Sequence, residues 1–408
     1  MPRPMFADLQ PAAPDAILGL ADAFRRDPRS GKVNLAVGVY QDEAGQTPIL
    51  TTVAEVERRL AEKGASKSYL PIGGDRFFTG PARGLVFGED HEALRAQRVE
   101  TLQTPGGTGA LRVAADLVHG LVPGATAWLS TPTWPNHAQI FQAAGLSVRW
   151  YPYLREDGQG VDEDGMFKTL ADSAPGDIVV VHACCHNPTG ADISSGAWKK
   201  LAWLAADRGV LPVLDFAYQG FGDGLDADAA GVRAMARDAE FTFFVASSMS
   251  KNFAVYAERV GALSLVCRSP DAAAALASHA RAAARACYSN PPAHGAEIVA
   301  TILRDPELRS NWMAEVANMR NRINENRSRL VETLVANGAA GGPGAPIQAA
   351  GLLLQRGMFS LLGLSAGQVA RLRDEFGVYV VSGGRINVAG LTKANLEVSC
   401  KAIAAVLT

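Results

Sequence analysis

The sequence predicts an α/β protein: a mainly parallel sheet flanked by helices, joined to a smaller α+β unit assembled from both chain ends. Two observations carry this. From VETLQ to SLVCR, short apolar runs alternate with helical patterns, an order that lays strands side by side and covers both faces with helices. After SNPPAHG the pattern changes to one long amphipathic stretch and then to short mixed elements. The expected division is residues 1–45 as an N-terminal arm and part of the smaller unit, 46–310 as the large domain, and 311–408 as a connecting helix and the rest of the smaller unit.

AVGVY (36–40) reads as a short strand. VETLQTPGGTGALRVAADLVHGL reads as an extended segment, a glycine turn and an amphipathic helix. ATAWLSTPTWPNHAQIFQAAGLSVRWYPY follows as strand, loop, helix and strand. GDIVVVHACCHNPTGAD is a buried strand ending in a turn, WKKLAWLAADRG a helix, and VLPVLDFAYQGFGDG a strand and loop. FTFFVASSMSKNF and GALSLVCR add two strands. Beyond them, Trp312, Val316, Met319, Ile323 and Leu330 recur at helical spacing, and GAAGGPGAP (338–346) ends that helix.

The chain has 408 residues, 48% hydrophobic and 20% charged, which allows a large core. A net charge of -2 gives no electrostatic case for nucleic acid or an anionic membrane. Five cysteines, with Cys184 and Cys185 adjacent, form no disulfide framework and read as reduced, buried thiols of a cytosolic protein. MPRPMFADLQPAAPDA lacks the apolar core of a signal peptide. The uncharged run 117–148 is broken by Pro123, Gly124, Pro132, Pro135 and Asn136, so it predicts no membrane helix. A soluble, cytoplasmic protein is expected. The seven histidines read as showing neither HxxxH nor HExxH spacing, and no metal is expected.

Chemistry enters with SSMSKNFAVYAERVGA, where Lys251 follows a buried strand and Arg259 stands eight residues on. Most lysines are solvated. At the apolar mouth of a sheet, desolvation lowers lysine pKa, and a neutral lysine can form a Schiff base with an aldehyde cofactor, usually pyridoxal 5'-phosphate. Such a cofactor demands a phosphate cradle, and TPGGTGALR offers one. Gly106, Gly107 and Gly109 admit an anion to the backbone, Thr108 adds a hydroxyl, and a helix N-terminus points at the same place. Ser248, Ser250 and Arg259 can add phosphate contacts. Asp215, at the C-terminal end of an apolar strand, can hold a pyridine nitrogen protonated, although such an aspartate can also be a plain cap. Tyr218 and Asn187 can bond the ring hydroxyl. Trp134 can stack on a flat ring or simply pack in the core. His137 and His182 can support Asp215 from behind or be structural histidines.

The segments NLAVGVY, QTPGGTGALRVAAD, TPTWPNH, HACCHNPTGAD, DFAYQGFGDGL, SSMSKNFAVYAERVGA, YSNPPAHGA, RGMFS, LRDEFGVYVV and GRINVAG run in one order over nearly the whole chain. In this the sequence resembles the class I pyridoxal-phosphate-dependent aminotransferases of the aspartate/aromatic amino acid branch. The resemblance implies PLP fold type I, with a mainly parallel seven-stranded sheet. It implies a ping-pong transfer of an amino group between an L-amino acid (aspartate or an aromatic one) and 2-oxoglutarate. Lys251 would carry the cofactor as a Schiff base and later shuttle a proton between substrate and cofactor carbon. Asp215 would pair with the pyridine nitrogen, Tyr218 and Asn187 with the ring oxygen, and Trp134 would stack on the ring. Gly107, Thr108, Ser248, Ser250 and Arg259 would bind phosphate. Arg385 would clamp the substrate α-carboxylate, and Val37 and Gly38 would line the entrance. Tyr69 and Arg285 would reach the neighbouring subunit's phosphate and substrate side chain, which implies a homodimer with shared sites.

Three positions depart from the family pattern: Cys287 in RACYSNPP, Ser68 in SYLPIGG, and Gln41 after GVY. Val39, Thr47, Thr108 and Asn290 resemble aspartate-preferring members, and Arg285 supports a dicarboxylate. Relatives with that arginine also accept aromatics, so dual specificity and a specialised biosynthetic substrate both stay open. A lyase or decarboxylase on the same fold is an alternative, and a non-enzymatic regulatory module a remote one, since such modules carry a DNA-binding domain for which no room is expected before AVGVY.

Overall fold

A computed structural model describes residues 5–6, 8–11, 18–64, 66–237 and 240–407. Most of MPRPMFADLQPAAPDA, and with it the signal-peptide reading, lies outside them. Seven strands form one sheet: β1 (Val99–Pro105), β2 (Thr126–Thr131), β3 (Ser147–Pro152), β4 (Ile178–His182), β5 (Leu211–Phe216), β6 (Phe243–Ser248) and β7 (Val260–Val266). Their spatial order is β1-β7-β6-β5-β4-β2-β3. Neighbours pair in parallel except around β7, which is antiparallel to both β1 and β6. β4, β6 and β7 are buried along their whole length, which is why they read as unbroken apolar runs.

Helix α1 (Gly106–Leu121) starts at the end of β1 and buries Leu111, Ala114, Ala115 and Val118 against one sheet face. On the α2 helix (Ser195–Arg208), the Ser194 side chain accepts from the Ala197 amide at the start. Gly209 takes the left-handed conformation at its end. The long helix α3 (Pro306–Ala336) has Asp305 as its cap and Pro306 in its first turn. Its Trp312, Val316, Met319, Ile323 and Leu330 are all buried, as their spacing predicts. Trp312 stacks on Phe253 with centroids 4.3 Å apart, and its indole donates to the Asn252 carbonyl at 2.8 Å. The long helix therefore braces the turn that carries Lys251.

One expected strand is absent. Residues 36–40 are irregular, and the nearby strand is Val33–Asn34, paired in parallel with Val378–Tyr379. That pairing brings the two ends of the described chain together. Three side chains fix the AVGVY segment instead of a ladder. Arg385 Nη2 donates to the Ala36 carbonyl (2.6 Å), Asn387 Nδ2 to the Val39 carbonyl (2.7 Å), and Tyr256 Oη accepts from the Tyr40 amide (2.8 Å).

Among the described residues no helix is long and apolar enough to cross a membrane. The expectation of buried thiols holds for Cys184, Cys185, Cys267 and Cys400 but not for Cys287, which is exposed near the end of its helix. Cys184 and Cys185 lie near Asp228, but that carboxylate accepts from the Gly220, Gly222 and Asp223 amides. Burial also pushes both thiol pKa values up, so the group reads as a loop anchor.

Candidate active site

The carboxyl ends of β4, β5 and β6 open into a cavity of roughly 400 Å³, the end at which α/β sheets present ligands. Its lining includes Lys251, Asp215, Tyr218, Asn187, Arg259 and Arg385, and also Gly38, Gly107, Thr108, Trp134, His182, Ser248 and Ser250. His137 lies directly behind Asp215. Val37 neighbours Gly38 without lining the cavity. Tyr69 and Arg285 stand apart: Tyr69 is 91% exposed, and Arg285, also exposed, donates to Ser289 Oγ in its own chain.

Lys251 follows β6 by three residues, and its ammonium sits 4.9 Å from the Tyr218 ring centroid. Burial lowers its pKa; the Asp215 charge acts the other way, and Arg259 lowers it further. Asp215 and His182 are register partners on β5 and β4. His137 Nε2 lies 3.0 Å from Asp215 Oδ2, and His182 Nε2 lies 4.0 Å from the same oxygen. Burial opposes ionisation of Asp215, but the His137 hydrogen bond and the facing His182, His137 and Lys251 outweigh it, and its pKa is lowered. A fixed carboxylate at the floor of an apolar sheet is the result.

His182 itself is held neutral by burial and by His186, its pKa well below the usual imidazole value. HACCH places these two rings 4.3 Å apart, a four-residue spacing absent from the reading of the sequence. His186 bonds Ser130 Oγ (3.0 Å) and Thr189 Oγ1 (2.8 Å) and stacks on Tyr153, so it supports the loop that carries Asn187. Asn187 Nδ2 lies 3.5 Å from Tyr218 Oη.

The glycines of TPGGTG leave room that side chains would fill. A Cβ on Gly106, whose φ is +71°, would lie 2.3 Å from Arg259 Nη2, and one on Gly107 would lie 3.2 Å from Ser248 Cβ. Arg259 is itself left-handed (φ 54°, ψ 58°) and donates to Ser250 Oγ at 3.2 Å and to the Tyr256 carbonyl at 3.1 Å. A non-glycine residue held in that region stores strain and persists where its surroundings fix it. The permanent cation, two serine hydroxyls, Thr108 and the α1 N-terminus converge as a phosphate-sized anion requires.

Arg385 is 2% exposed, has no carboxylate partner among the described residues, and lies 4.3 Å from the Phe359 ring centroid. It bonds Asn187 Oδ1 at 3.3 Å and the Ala36 carbonyl, while its Nε has no partner. Burial brings its pKa down to about 10. An unpaired buried guanidinium is costly unless an anion joins it. Phe359 and Tyr256 also line the cavity, and sequence reasoning assigned neither of them a role. Both lay inside quoted motifs, RGMFS and SSMSKNFAVYAERVGA, so position within those motifs was the available signal.

Comparison with known proteins shows the family. Residues 30–403 match the family model described as aminotransferase class I and II. The aspartate aminotransferase of Escherichia coli (strain K12) is 47% identical over 403 residues, covering 99% of this chain and 100% of the relative. The aromatic-amino-acid aminotransferase of Pseudomonas aeruginosa is also 47% identical, over 401 residues and 98% of both chains. A crystal structure of the aromatic-amino-acid aminotransferase from Burkholderia pseudomallei, covalently bound to pyridoxal phosphate, superposes with a TM-score of 0.94. Its identity is 46%, covering 99% of this chain and 100% of that one. A family match over residues 30–403 and identities of 46–47% over nearly the whole of both chains place it in one family: it belongs to the class I and II aminotransferases.

Proposed function

We propose that this aminotransferase uses pyridoxal 5'-phosphate to move an amino group from L-aspartate or an aromatic L-amino acid to 2-oxoglutarate. The observation that carries the reading is the one cavity that gathers an amine, a carboxylate and two guanidinium groups from three separate motifs. Pyridoxal phosphate, when bound, supplies an aldehyde that condenses with amines and a ring that accepts electron density. Gly107, Thr108, Ser248, Ser250 and Arg259 would hold its phosphate, Trp134 one ring face, and Asn187 and Tyr218 its ring oxygen. Asp215 would keep a proton on the pyridine nitrogen, with His137 fixing the carboxylate. The lowered pKa of Lys251 leaves Nζ available as nucleophile and then as the base that moves the substrate Cα proton. Arg385 would take the substrate α-carboxylate, and closure over it would exclude water.

Two relatives of equal identity carry the names aspartate and aromatic-amino-acid aminotransferase, which supports a donor range spanning both classes. The exposure of Tyr69 and Arg285 supports their service in a second copy's site, and hence a homodimer, which we assign to the cytoplasm. A donor panel with 2-oxoglutarate tests the substrate range. Lys251→Ala should lose both the visible cofactor band and transamination, and an active variant would sink the assignment. Arg285→Ala should lose aspartate turnover far more than phenylalanine turnover; equal losses would reject its role. Mixing Arg285→Ala with Lys251→Ala subunits should restore aspartate turnover, whereas no recovery would mean that Arg285 acts within its own chain.

A further inference from the structure

We infer that Tyr256 is a positioning residue that couples the phosphate end of the cofactor seat to the segment at the substrate entrance. This rests on the function just proposed. Residues 36–40 lack ladder partners and are pinned by Arg385, Asn387 and Tyr256. Arg385 and Asn387 belong to one short strand, Arg385–Asn387, at the far end of the chain. Tyr256 comes from the loop between β6 and β7, the loop that carries Lys251.

The two ends of Tyr256 face different tasks. Its carbonyl accepts from Arg259 Nη1, the nitrogen that also bonds Ser250 Oγ. Its hydroxyl accepts from the Tyr40 amide at 2.8 Å, two residues from Gly38 in the cavity lining. Burial pushes the phenol pKa up, so the hydroxyl stays neutral through the working pH range. The residue opens a single 3-10 turn, Tyr256–Glu258, whose C-terminal cap, Arg259, is left-handed. An anion drawn to Arg259 fixes that guanidinium, and its bond to the Tyr256 carbonyl then fixes the turn. The turn, in turn, fixes the Tyr40 amide. Occupancy of the phosphate cradle is thereby transmitted to the entrance through one side chain.

The test compares Tyr256→Phe with the wild type and with Tyr151→Phe. Tyr151 is a buried tyrosine whose hydroxyl donates to the Val180 carbonyl, away from the cavity lining. Tyr256→Phe keeps the ring, and far-ultraviolet circular dichroism checks its fold. Amide hydrogen exchange over residues 33–41 is followed before and after pyridoxal 5'-phosphate is added to the apoenzyme. Protection of the Tyr40 amide should rise about fivefold or more in wild type and Tyr151→Phe, and less than about twofold in Tyr256→Phe. Cofactor affinity, read from the visible band, should stay within about twofold, while KM for the amino donor rises about fivefold to tenfold with kcat little changed. Equal protection gains in all three proteins would overturn the coupling, as would a loss of cofactor affinity matching the rise in KM. If wild type forms no Lys251 adduct at all, the proposed function fails and the inference with it, a result distinct from either of those.

Discussion

Replacing Arg385 with lysine should convert a pH-independent carboxylate grip into one that titrates. The guanidinium is 2% exposed and already bonded to the Ala36 carbonyl and Asn187 Oδ1, so the rest of its fork is what a substrate carboxylate can use. A lysine can keep one of those bonds but cannot present a planar pair. Losing one charge-assisted hydrogen bond costs about 1.5–3 kcal/mol, or about 10- to 150-fold in kcat/KM. Burial brings the arginine down from its ordinary value to about 10. The same burial acting on a lysine, whose ordinary value is about 10.4, lowers the replacement's pKa into the accessible alkaline range. Only the protonated amine binds carboxylate, so kcat/KM of Arg385→Lys should fall as pH rises through that region, where wild type stays level. The assay is the half-reaction of the cofactor-loaded protein with an L-amino acid, and in parallel with a simple alkylamine that has no carboxylate. The alkylamine should react equally with both proteins. Equal losses on both donors, or parallel pH profiles, would refute the assignment of Arg385 as the carboxylate clamp.

Two further perturbations probe other parts of the site. Gly106→Ala places a Cβ at 2.3 Å from Arg259 Nη2 on a backbone with φ of +71°. The strain of about 1–3 kcal/mol should displace the arginine and weaken pyridoxal phosphate binding about tenfold, measured by titrating the apoenzyme; unchanged affinity would remove Arg259 from the cradle. His137→Ala should raise the Asp215 pKa, because the hydrogen bond that lowers it is lost. The folded value in wild type lies below the ordinary 3.8, so this carboxylate's contribution is complete above that pH and is lost as pH falls through the lower folded value. Acid unfolding of the variant should begin at higher pH, and an unmoved midpoint would show that His137 does not hold the charge.

Much of the fold was legible because the strands are short apolar runs and the helices carry their caps, as at Ser194, Asp305 and Gly209. Lys251, Asp215, Arg259 and Asn187 were legible because each stands in a motif whose residues suggest its chemistry, whereas Arg385 was legible only through resemblance. AVGVY misled for a physical reason. Only its Ala36 and Tyr40 are buried, and its backbone is held by Arg385, Asn387 and Tyr256 at separations above two hundred residues, which no local pattern encodes. The roles of Phe359 and Tyr256 escaped for a related reason, since an aromatic that walls a site looks the same in sequence as one that fills a core. Tyr69 and Arg285 were legible only through resemblance, and in one subunit they point to no site of their own.

The reversed direction of β7 has a mechanical consequence. Because β7 enters where β6 leaves, with Ser248 opposite Gly261, the segment from Ser248 to Arg259 is a hairpin loop. Pro105 at the end of β1 faces Val260 across the other side of the same strand. The loop works as a calliper: Lys251 is one jaw and Arg259 the other, and their opening is gauged by strand pairing in the sheet. Arg385 lies outside that sheet, on a strand paired with Phe359–Leu361, so the grip it offers is set independently of the gauge. Cofactor retention and substrate turnover are then separable properties, set by different parts of one chain.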